Sequence, residues 1–261
     1  MQTSNKLYLS IIIGTAFILD ACTAVESESE TVRKVAESTG MVTNYDQAYQ
    51  NYLTLGAQYY QSGQYELAEA RLKRAIEIDA QKPEAWHGLA NVYEAQQNIA
   101  AGEQVYEKLI TAHPNYQVGF FDYAKFLCKF DRKNEIQKLY TRMRSKGSEF
   151  STLAAISEGD CERQKGDTAG ARKAYLQALS LESTAAGALV PMAEIALEQG
   201  DYQTAMNNIR TMHSYVSYTP ETLRIGILAA RGLGDSATEA NFVRMMRATH
   251  KNSPQAKELG L

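Results

Sequence analysis

The amino-acid sequence predicts an all-α fold, built as an array of about six helical hairpins. Most of the chain repeats a pattern of aromatic, small and aliphatic residues every 34 residues, as helical repeat proteins do. Ala, Leu, Glu, Gln, Lys and Arg, which favour helices, fill long stretches. Only five prolines occur in 261 residues, so helices can run uninterrupted between the turns.

The chain begins with a predicted export signal over residues 1–21. A short polar stretch that ends at Lys6 precedes an apolar run from Leu7 to Leu19. A helix needs about 20 apolar residues to cross a bilayer, so this shorter run is typical of a cleaved signal rather than a permanent anchor.

The end of the apolar run predicts a lipid attachment site. The segment Leu19-Asp20-Ala21-Cys22 resembles the bacterial lipobox, which has a large aliphatic residue three positions before a cysteine and a small residue directly before it. Leu19, Ala21 and Cys22 match this pattern, and Asp20 departs from it. The resemblance implies a Cys22 that carries fatty acids such as palmitate, and Thr23 implies the periplasmic face of the outer membrane. The alternative is an ordinary signal peptide that leaves Cys22 as a free thiol.

Residues 22–44 are predicted to form a flexible tether that carries the lipid. Ser, Thr and Glu dominate this segment and large apolar side chains are few, so it cannot bury enough surface to fold alone. We expect the tether to hold the folded part, residues 45–261, away from the lipid surface.

The first three hairpins carry the clearest repeat. The shared positions are Tyr52, Leu55, Gly56, Tyr59, Ala68, Leu72 and Ala75 in the first, Trp86, Leu89, Ala90, Tyr93, Gly102, Tyr106 and Leu109 in the second, and Phe120, Tyr123, Ala124, Leu127, Ile136, Tyr140 and Met143 in the third. Their spacing resembles that of the tetratricopeptide repeat. The resemblance implies two antiparallel helices in each repeat, stacked into a right-handed superhelix with a concave groove.

Three weaker copies follow. The fourth begins near Thr152 after a slip of one residue, the fifth begins at Ala186, and a degenerate sixth begins at Pro220. We expect the sixth copy to act as a cap. Glycine turns are predicted to end the first helix of several pairs; they lie at Gly63, Gly166, Gly200 and Gly234.

Charge and motifs argue against catalysis. A formal net charge of −3 supplies no attraction to phosphate backbones, so we expect no nucleic-acid partner. The sequence contains no Gly-rich phosphate loop, no hydrolase or metalloprotease motif and no closely spaced cysteine pair for zinc. The four histidines are scattered over different repeats: His87, His113, His213 and His250. We therefore expect no catalytic residue, metal, cofactor or small-molecule substrate. A hidden enzyme would need titratable groups that face one cavity.

Cys128 and Cys161 lie 33 residues apart, which is close to one repeat. They occupy comparable depths of neighbouring first helices, so their side chains can meet, and export makes a disulfide feasible. We predict this bridge in the exported protein. The alternative is two buried cysteines that act as small apolar side chains.

The combination of lipobox, polar tether and about six repeats resembles the PilF/PilW family of pilotin lipoproteins. The resemblance is carried by the segments 121–128, 158–161 and 165–171, and both cysteines match positions where that family has cysteine. It implies a protein that binds the secretin subunit of the type IV pilus machine and promotes its localisation or multimerisation in the outer membrane. The alternative is a lipid-anchored adaptor for cell-wall enzymes or for outer-membrane barrel assembly.

The tetratricopeptide resemblance also implies a protein-binding groove. Its inward positions are the second, fifth, ninth, twelfth and thirteenth of each repeat. Counted from Tyr49, Pro83 and Gln117, they include Leu53, Ala57 and Tyr60, then His87, Asn91 and Glu94, then Phe121, Lys125 and Cys128. We expect the apolar members to contact a ligand, because repeat packing does not require them, and the polar members to fix its register. The alternative is a solvated inner surface.

Overall fold

The computed structural model describes residues 44–261, and the predictions for Cys22, the export signal and the tether before residue 44 lie outside the described residues. Within this range thirteen α-helices supply the regular secondary structure, and no strand is present. The predicted all-α class is therefore confirmed. The chain divides into two compact units, with the boundary between Gln96 and Gln97.

The first unit contains three described helices, α1 (Tyr45–Gln61), α2 (Tyr65–Ile78) and α3 (Pro83–Ala95). Leu72 on α2 lies directly over Gly56 on α1. A Cβ atom at Gly56 would stand 2.7 Å from Leu72 Cγ, which is too close for a side chain. The small residue of the repeat pattern therefore leaves room for the Leu72 side chain at this helix contact.

The second unit contains the remaining ten helices. In chain order they are α4 (Ile99–Ala112), α5 (Gln117–Lys129), α6 (Lys133–Arg144), α7 (Ser148–Gln164), α8 (Thr168–Leu181), α9 (Ala186–Glu198), α10 (Tyr202–His213), α11 (Pro220–Leu233), α12 (Ser236–His250) and α13 (Pro254–Glu258). The helix α5 packs on α7 and α9 packs on α11, so first helices of these repeats contact each other directly. In each of these hairpins the second helix packs against its own first helix. These second helices are α6, α8, α10 and α12.

The turns inside the hairpins share one backbone conformation. The four glycines predicted to end first helices all have positive φ, between 69° and 83°. Gln97 and Asp131 occupy the same position in the second and third repeats, with φ of 56° and 51°. The hairpin geometry imposes this left-handed residue even where the sequence supplies no glycine, at a typical cost of about 1–2 kcal/mol.

Short polar side chains cap the starts of four of the six second helices. The side chain of Asn98 accepts a hydrogen bond from the Ala101 amide at the start of α4. Asp167, Asp201 and Asp235 do the same for the amides three residues further on, at the starts of α8, α10 and α12. Each bond satisfies one free N–H of the first turn, so the residue after each turn fixes where its helix begins.

The end of the chain differs from the sequence prediction. The sixth repeat forms two full helices, and the additional helix α13 packs against α11 and α12. Ala256 of α13 is fully buried in the core, and Leu259 and Leu261 pack against the same cluster. The sixth repeat is therefore itself covered, and α13 with these leucines acts as the cap. None of the helices within residues 44–261 is both long and apolar enough to span a bilayer.

Candidate protein-binding face

Within the first unit the predicted groove positions lie on α1 and α3, which pack against each other. They follow one another at intervals of four and three residues, so each set shares one helical face. The set is Leu53, Ala57 and Tyr60 on α1, and His87, Asn91 and Glu94 on α3.

A polar clamp holds the beginnings of α1 and α3 in register. The hydroxyl of buried Tyr49 donates a hydrogen bond to Glu84 at 3.2 Å and accepts one from the Ala85 amide at 3.2 Å. Lys82 pairs with Asp46 at 2.6 Å, and its Nζ lies 4.6 Å from the centre of the Tyr49 ring. Burial raises the pKa of Tyr49, so its phenol stays neutral and can serve as both donor and acceptor.

Leu53 differs from its predicted role. It is half-buried and packs against the cluster formed by Tyr49, Ala75 and Ala85. The expectation that repeat packing does not require Leu53 was therefore wrong, because the α1 side chain reaches the core between neighbouring helices. Its binding role remains a prediction.

Tyr60 and Ala57 are the accessible members of the α1 set. Tyr60 is 39% exposed, and its ring centre lies 5.9 Å from that of Tyr65 in a tilted contact. Ala57 is also exposed, so a partner can approach the Tyr60 ring from this side. On α3, all three predicted residues are half-buried, and none of them is without a partner.

In the second unit the predicted residues Phe121 and Lys125 lie together on α5. Phe121 is half-buried, and the Lys125 Nζ atom lies 5.8 Å from its ring centre. Lys125 remains largely exposed, and its nearest Asp122 oxygen is 3.9 Å away. An aromatic surface with a cation above it is a common feature of protein interfaces.

Cys128, counted among the groove positions, is not accessible to a ligand. The structure joins Cys128 on α5 to Cys161 on α7 as a disulfide, with Cα atoms 5.7 Å apart. Both cysteines are buried. Cys128 therefore offers no surface to a ligand, because its sulfur atom lies in the disulfide between α5 and α7.

The same inner positions continue through the later repeats. The fifth position gives an apolar row of Phe121, Ile156 and Val190, on α5, α7 and α9. All three are half-buried. The ninth position gives a charged row of Lys125, Asp160 and Glu194 on the same helices. We call these two rows together the inner face of the second unit.

An ion-pair ladder crosses the inner face from helix to helix. Arg163 of α7 binds Glu194 of α9 and approaches Glu198 at 3.4 Å. Arg224 of α11 lies 3.7 Å from the other oxygen of Glu194 and 2.6 Å from Glu221. Burial tends to raise the pKa of Glu221, but Arg224 outweighs this effect and lowers it. Half-buried pairs of this kind fix register more than they add stability.

Asp160 is a half-buried carboxylate of the charged row. It accepts a hydrogen bond of 2.6 Å from the Tyr175 hydroxyl. Burial raises the pKa of Asp160, although this bond and the nearby Lys125 and Arg163 counteract the increase. Burial likewise raises the pKa of Tyr175. The pair is a rigid polar feature of the inner face, positioned where α7 meets α8.

The titratable groups form no metal-binding cluster in the part of the chain that the structure describes. No group of three or more His, Cys, Asp or Glu side chains lies close enough there to hold a metal ion. His213, for example, stacks on Tyr218 with ring centres 3.5 Å apart, and burial lowers its pKa. The geometry instead provides surfaces for contact with another chain.

Comparison with known proteins agrees with this architecture. Two family models match, one described as "TPR repeat" over residues 56–97 and one described as "Tetratricopeptide repeat" over residues 83–126. The chain is 23% identical over 219 residues to the type IV pilus assembly protein PilF of Pseudomonas aeruginosa PAO1. That alignment covers 82% of this chain and 85% of the relative. The chain is a PilF/PilW-like tetratricopeptide-repeat protein.

Two solved structures extend the comparison. The solved structure of P. aeruginosa PilF superposes with a TM-score of 0.52 at 21% sequence identity. The superposition covers 84% of this chain. PilW, described as a widely conserved type IV pilus biogenesis factor, superposes with a TM-score of 0.54 at 17% identity and covers 82%. Each match covers 99% of the solved chain. At these identities the superpositions establish the fold alone.

For a tetratricopeptide-repeat protein the first-helix surface is the usual place to bind a peptide or helix. Of the residues predicted for this surface, Tyr60, Phe121 and Lys125 are accessible or partly so, and their binding role remains a prediction. The sequence prediction missed Asp160, Glu194 and the arginines of the ladder. Continuing the count past the one-residue slip near Thr152 would have found them.

Proposed function

We propose that this chain is an outer-membrane lipoprotein, anchored through Cys22 on the periplasmic face, that acts as a pilotin in type IV pilus biogenesis. It binds the secretin subunit of the pilus machine and promotes its localisation or multimerisation in the outer membrane. The tetratricopeptide scaffold holds its partner and catalyses no reaction.

The similarity to PilF carries this proposal. The alignment spans most of both chains, so it is not confined to one or two hairpins. A match confined to one or two repeats would be expected for many unrelated tetratricopeptide proteins, since they share the packing residues. Similarity along most of the length therefore supports a role in the same machinery.

The inner face of the second unit supports the binding step. Its apolar row, Phe121 with Ile156 and Val190, offers partly exposed aromatic and aliphatic surface. Its charged row changes sign along the array, from Lys125 to Asp160 and Glu194. A partner segment with apolar residues on one side and charges on the other fits such a surface, either as an extended chain or as an amphipathic helix.

Affinity capture of the secretin from detergent-solubilised envelopes tests the proposal. Two single variants are compared with the wild type, Tyr60→Ser in the first unit and Phe121→Ser in the second. Loss of an aromatic anchor at an interface costs about 1–2 kcal/mol, so at least one variant should weaken capture roughly 5- to 30-fold. Leu67→Ser is the matched control, because Leu67 is 42% exposed on the second helix α2. All three variants should keep a melting temperature within a few degrees of the wild type.

Absence of secretin from the captured proteins contradicts the proposed partner. A deletion strain gives the second readout: loss of twitching motility and surface pili is expected. A cell-wall or envelope-permeability defect with normal pili would instead support the adaptor function.

A further inference from the structure

Four second helices of the second unit carry an excess of exposed cations. The second helices α6, α8, α10 and α12 carry seven exposed cations; these are Lys133, Lys138, Arg172, Lys173, Arg210, Arg244 and Arg247. We call the exposed side of these four helices the outer face. In contrast, the first helices α7 and α9 carry six carboxylates and one cation, Arg163. The whole chain has a formal net charge of −3, so the net charge does not reveal this uneven distribution.

The outer face has no exposed carboxylate on its four described helices. α8 and α10 contain neither Asp nor Glu. The two acidic residues on the other helices are half-buried and engaged by arginines: Glu135 lies 3.4 Å from Arg132, and Glu239 lies 2.9 Å from Arg231. The exposed Asp131, which precedes α6, lies 3.5 Å from Lys133. The helix-capping aspartates are further counter-charges, such as Asp201, which lies near Arg172. Those carboxylates are held by the first-turn amides at the helix starts.

Helix stabilisation does not explain all of these cations. Cations in the last turn of a helix interact favourably with the helix dipole, which accounts for Arg210 and Arg247. Arg172 and Lys173 lie only four and five residues after the start of α8, and Lys138 lies in the middle of α6. The dipole gives these three positions no advantage, so their charge is available for another role.

Apolar side chains accompany the cations. Leu176 is 49% exposed and stands three and four residues after Lys173 and Arg172, so it shares their helical face. Tyr215 and Val216, which follow α10, are 70% and 46% exposed. Tyrosine with exposed Lys, Arg and Leu is the residue mixture found where proteins meet the polar boundary of a bilayer.

We propose that the outer face lies against an anionic phospholipid surface. This inference rests on the proposed lipid anchor, which would keep the face within reach of a membrane. The cations are spread over four parallel helices and do not line one recess. A peptide needs a groove that matches its width, whereas a lipid headgroup layer contacts any exposed cation on an extended face. The inner face remains open to the protein partner.

Binding of the full-length Cys22→Ala chain to vesicles tests this inference. Phosphatidylcholine vesicles with and without phosphatidylglycerol separate the charge-dependent part of binding from any contribution of the apolar amino-terminal run. Each cation near such a surface contributes about 1 kcal/mol, so Lys138→Gln combined with Lys173→Gln should reduce the phosphatidylglycerol-dependent binding by roughly 10- to 30-fold. Binding should also weaken as salt is raised.

The matched control combines Lys165→Gln with Lys257→Gln. It removes the same charge from exposed lysines outside the outer face. Equal losses for both pairs, or no phosphatidylglycerol-dependent binding by the parent chain, overturn the inference. Unchanged vesicle binding with reduced secretin capture would assign the outer face to an acidic protein instead, which also overturns it. The vesicles contain no secretin and the chain no acyl group, so failure of the pilotin function leaves this measurement unaffected.

Discussion

Asp160 combines a half-buried carboxylate with a short hydrogen bond from Tyr175. Burial raises the pKa of Asp160 in the folded chain above its value in the unfolded chain. Its contribution to stability is therefore complete below the unfolded pKa and is lost as the pH rises through the folded pKa. We predict that Asp160→Asn, which still accepts the Tyr175 bond, becomes more stable relative to the wild type as the pH rises above the pKa of an unfolded aspartate, about 4.

Chemical unfolding of both chains at a series of pH values measures this difference. Glu182→Gln, which removes an exposed carboxylate after α8, is the control and should show little change with pH relative to the wild type. A variant that loses stability against the wild type as the pH rises would mean that the ionised carboxylate, and not the buried acid, is the favoured form.

Single residues also show where sequence reasoning reaches its limit. Glycine marks four of the left-handed turns because it adopts positive φ without steric cost. Gln97 and Asp131 carry no such signal, and only their distance of 34 residues from other turn positions indicates the same conformation. The role of Leu53 was misjudged for a related reason, because periodicity places a residue on a helical face but does not show how far the neighbouring helix extends over it.

The disulfide acts at the scale of whole helices, because it joins the first helices α5 and α7. A bridge closing a loop of 33 residues restricts the unfolded chain and typically contributes about 3–4 kcal/mol. We predict that Cys128→Ala combined with Cys161→Ala lowers the free energy of unfolding by about this amount. Dithiothreitol should lower the stability of the wild type and leave the double variant unchanged.

Thiol alkylation of the exported protein tests whether the bridge forms in the cell. The denatured, unreduced mature chain should be labelled at neither Cys128 nor Cys161, and both should react after reduction. Full labelling before reduction would mean that the cysteines serve only as small apolar residues.

Most helices could be predicted, because the residues of the helix contacts recur at a fixed spacing in each repeat. All six hairpins contain described helices, including the degenerate sixth. The short helix α13 was missed because it belongs to no repeat. Its signal is local: Ser253 caps the helix through the Ala256 amide, and Pro254 occupies the first turn.

For the molecule as a whole, the predicted lipid anchor decides its location. Cys22 lies outside the described residues, and the first described helix begins at Tyr45. We therefore predict that Cys22→Ala leaves the repeats folded but removes the protein from the outer membrane. Labelled palmitate should enter the wild type and not the variant, while both show the same helical circular dichroism. Equal labelling of the two chains would place the acyl group elsewhere or exclude the anchor.

The distribution of charge over the second unit could be recognised only after the helices were known. In the sequence, acidic and basic residues alternate in short blocks between Lys125 and Arg247, and the net charge conceals the pattern. Sorting the residues by helix shows an excess of exposed cations on α6, α8, α10 and α12 and an excess of carboxylates on α7 and α9. In the two proposals above, a protein partner binds the inner face and a lipid surface binds the outer face.

The covalent link between α5 and α7 has a mechanical consequence. Repeat arrays are held together by contacts between neighbours, so a pulling force separates them one interface at a time. At the third and fourth repeats that sequence of events stops, because the segment between Cys128 and Cys161 cannot lengthen while its ends are bonded. Tension applied through a bound cargo would therefore pass through the disulfide and bypass the segment between Cys128 and Cys161. The turn at Gly147, which lies in that segment, would stay unloaded.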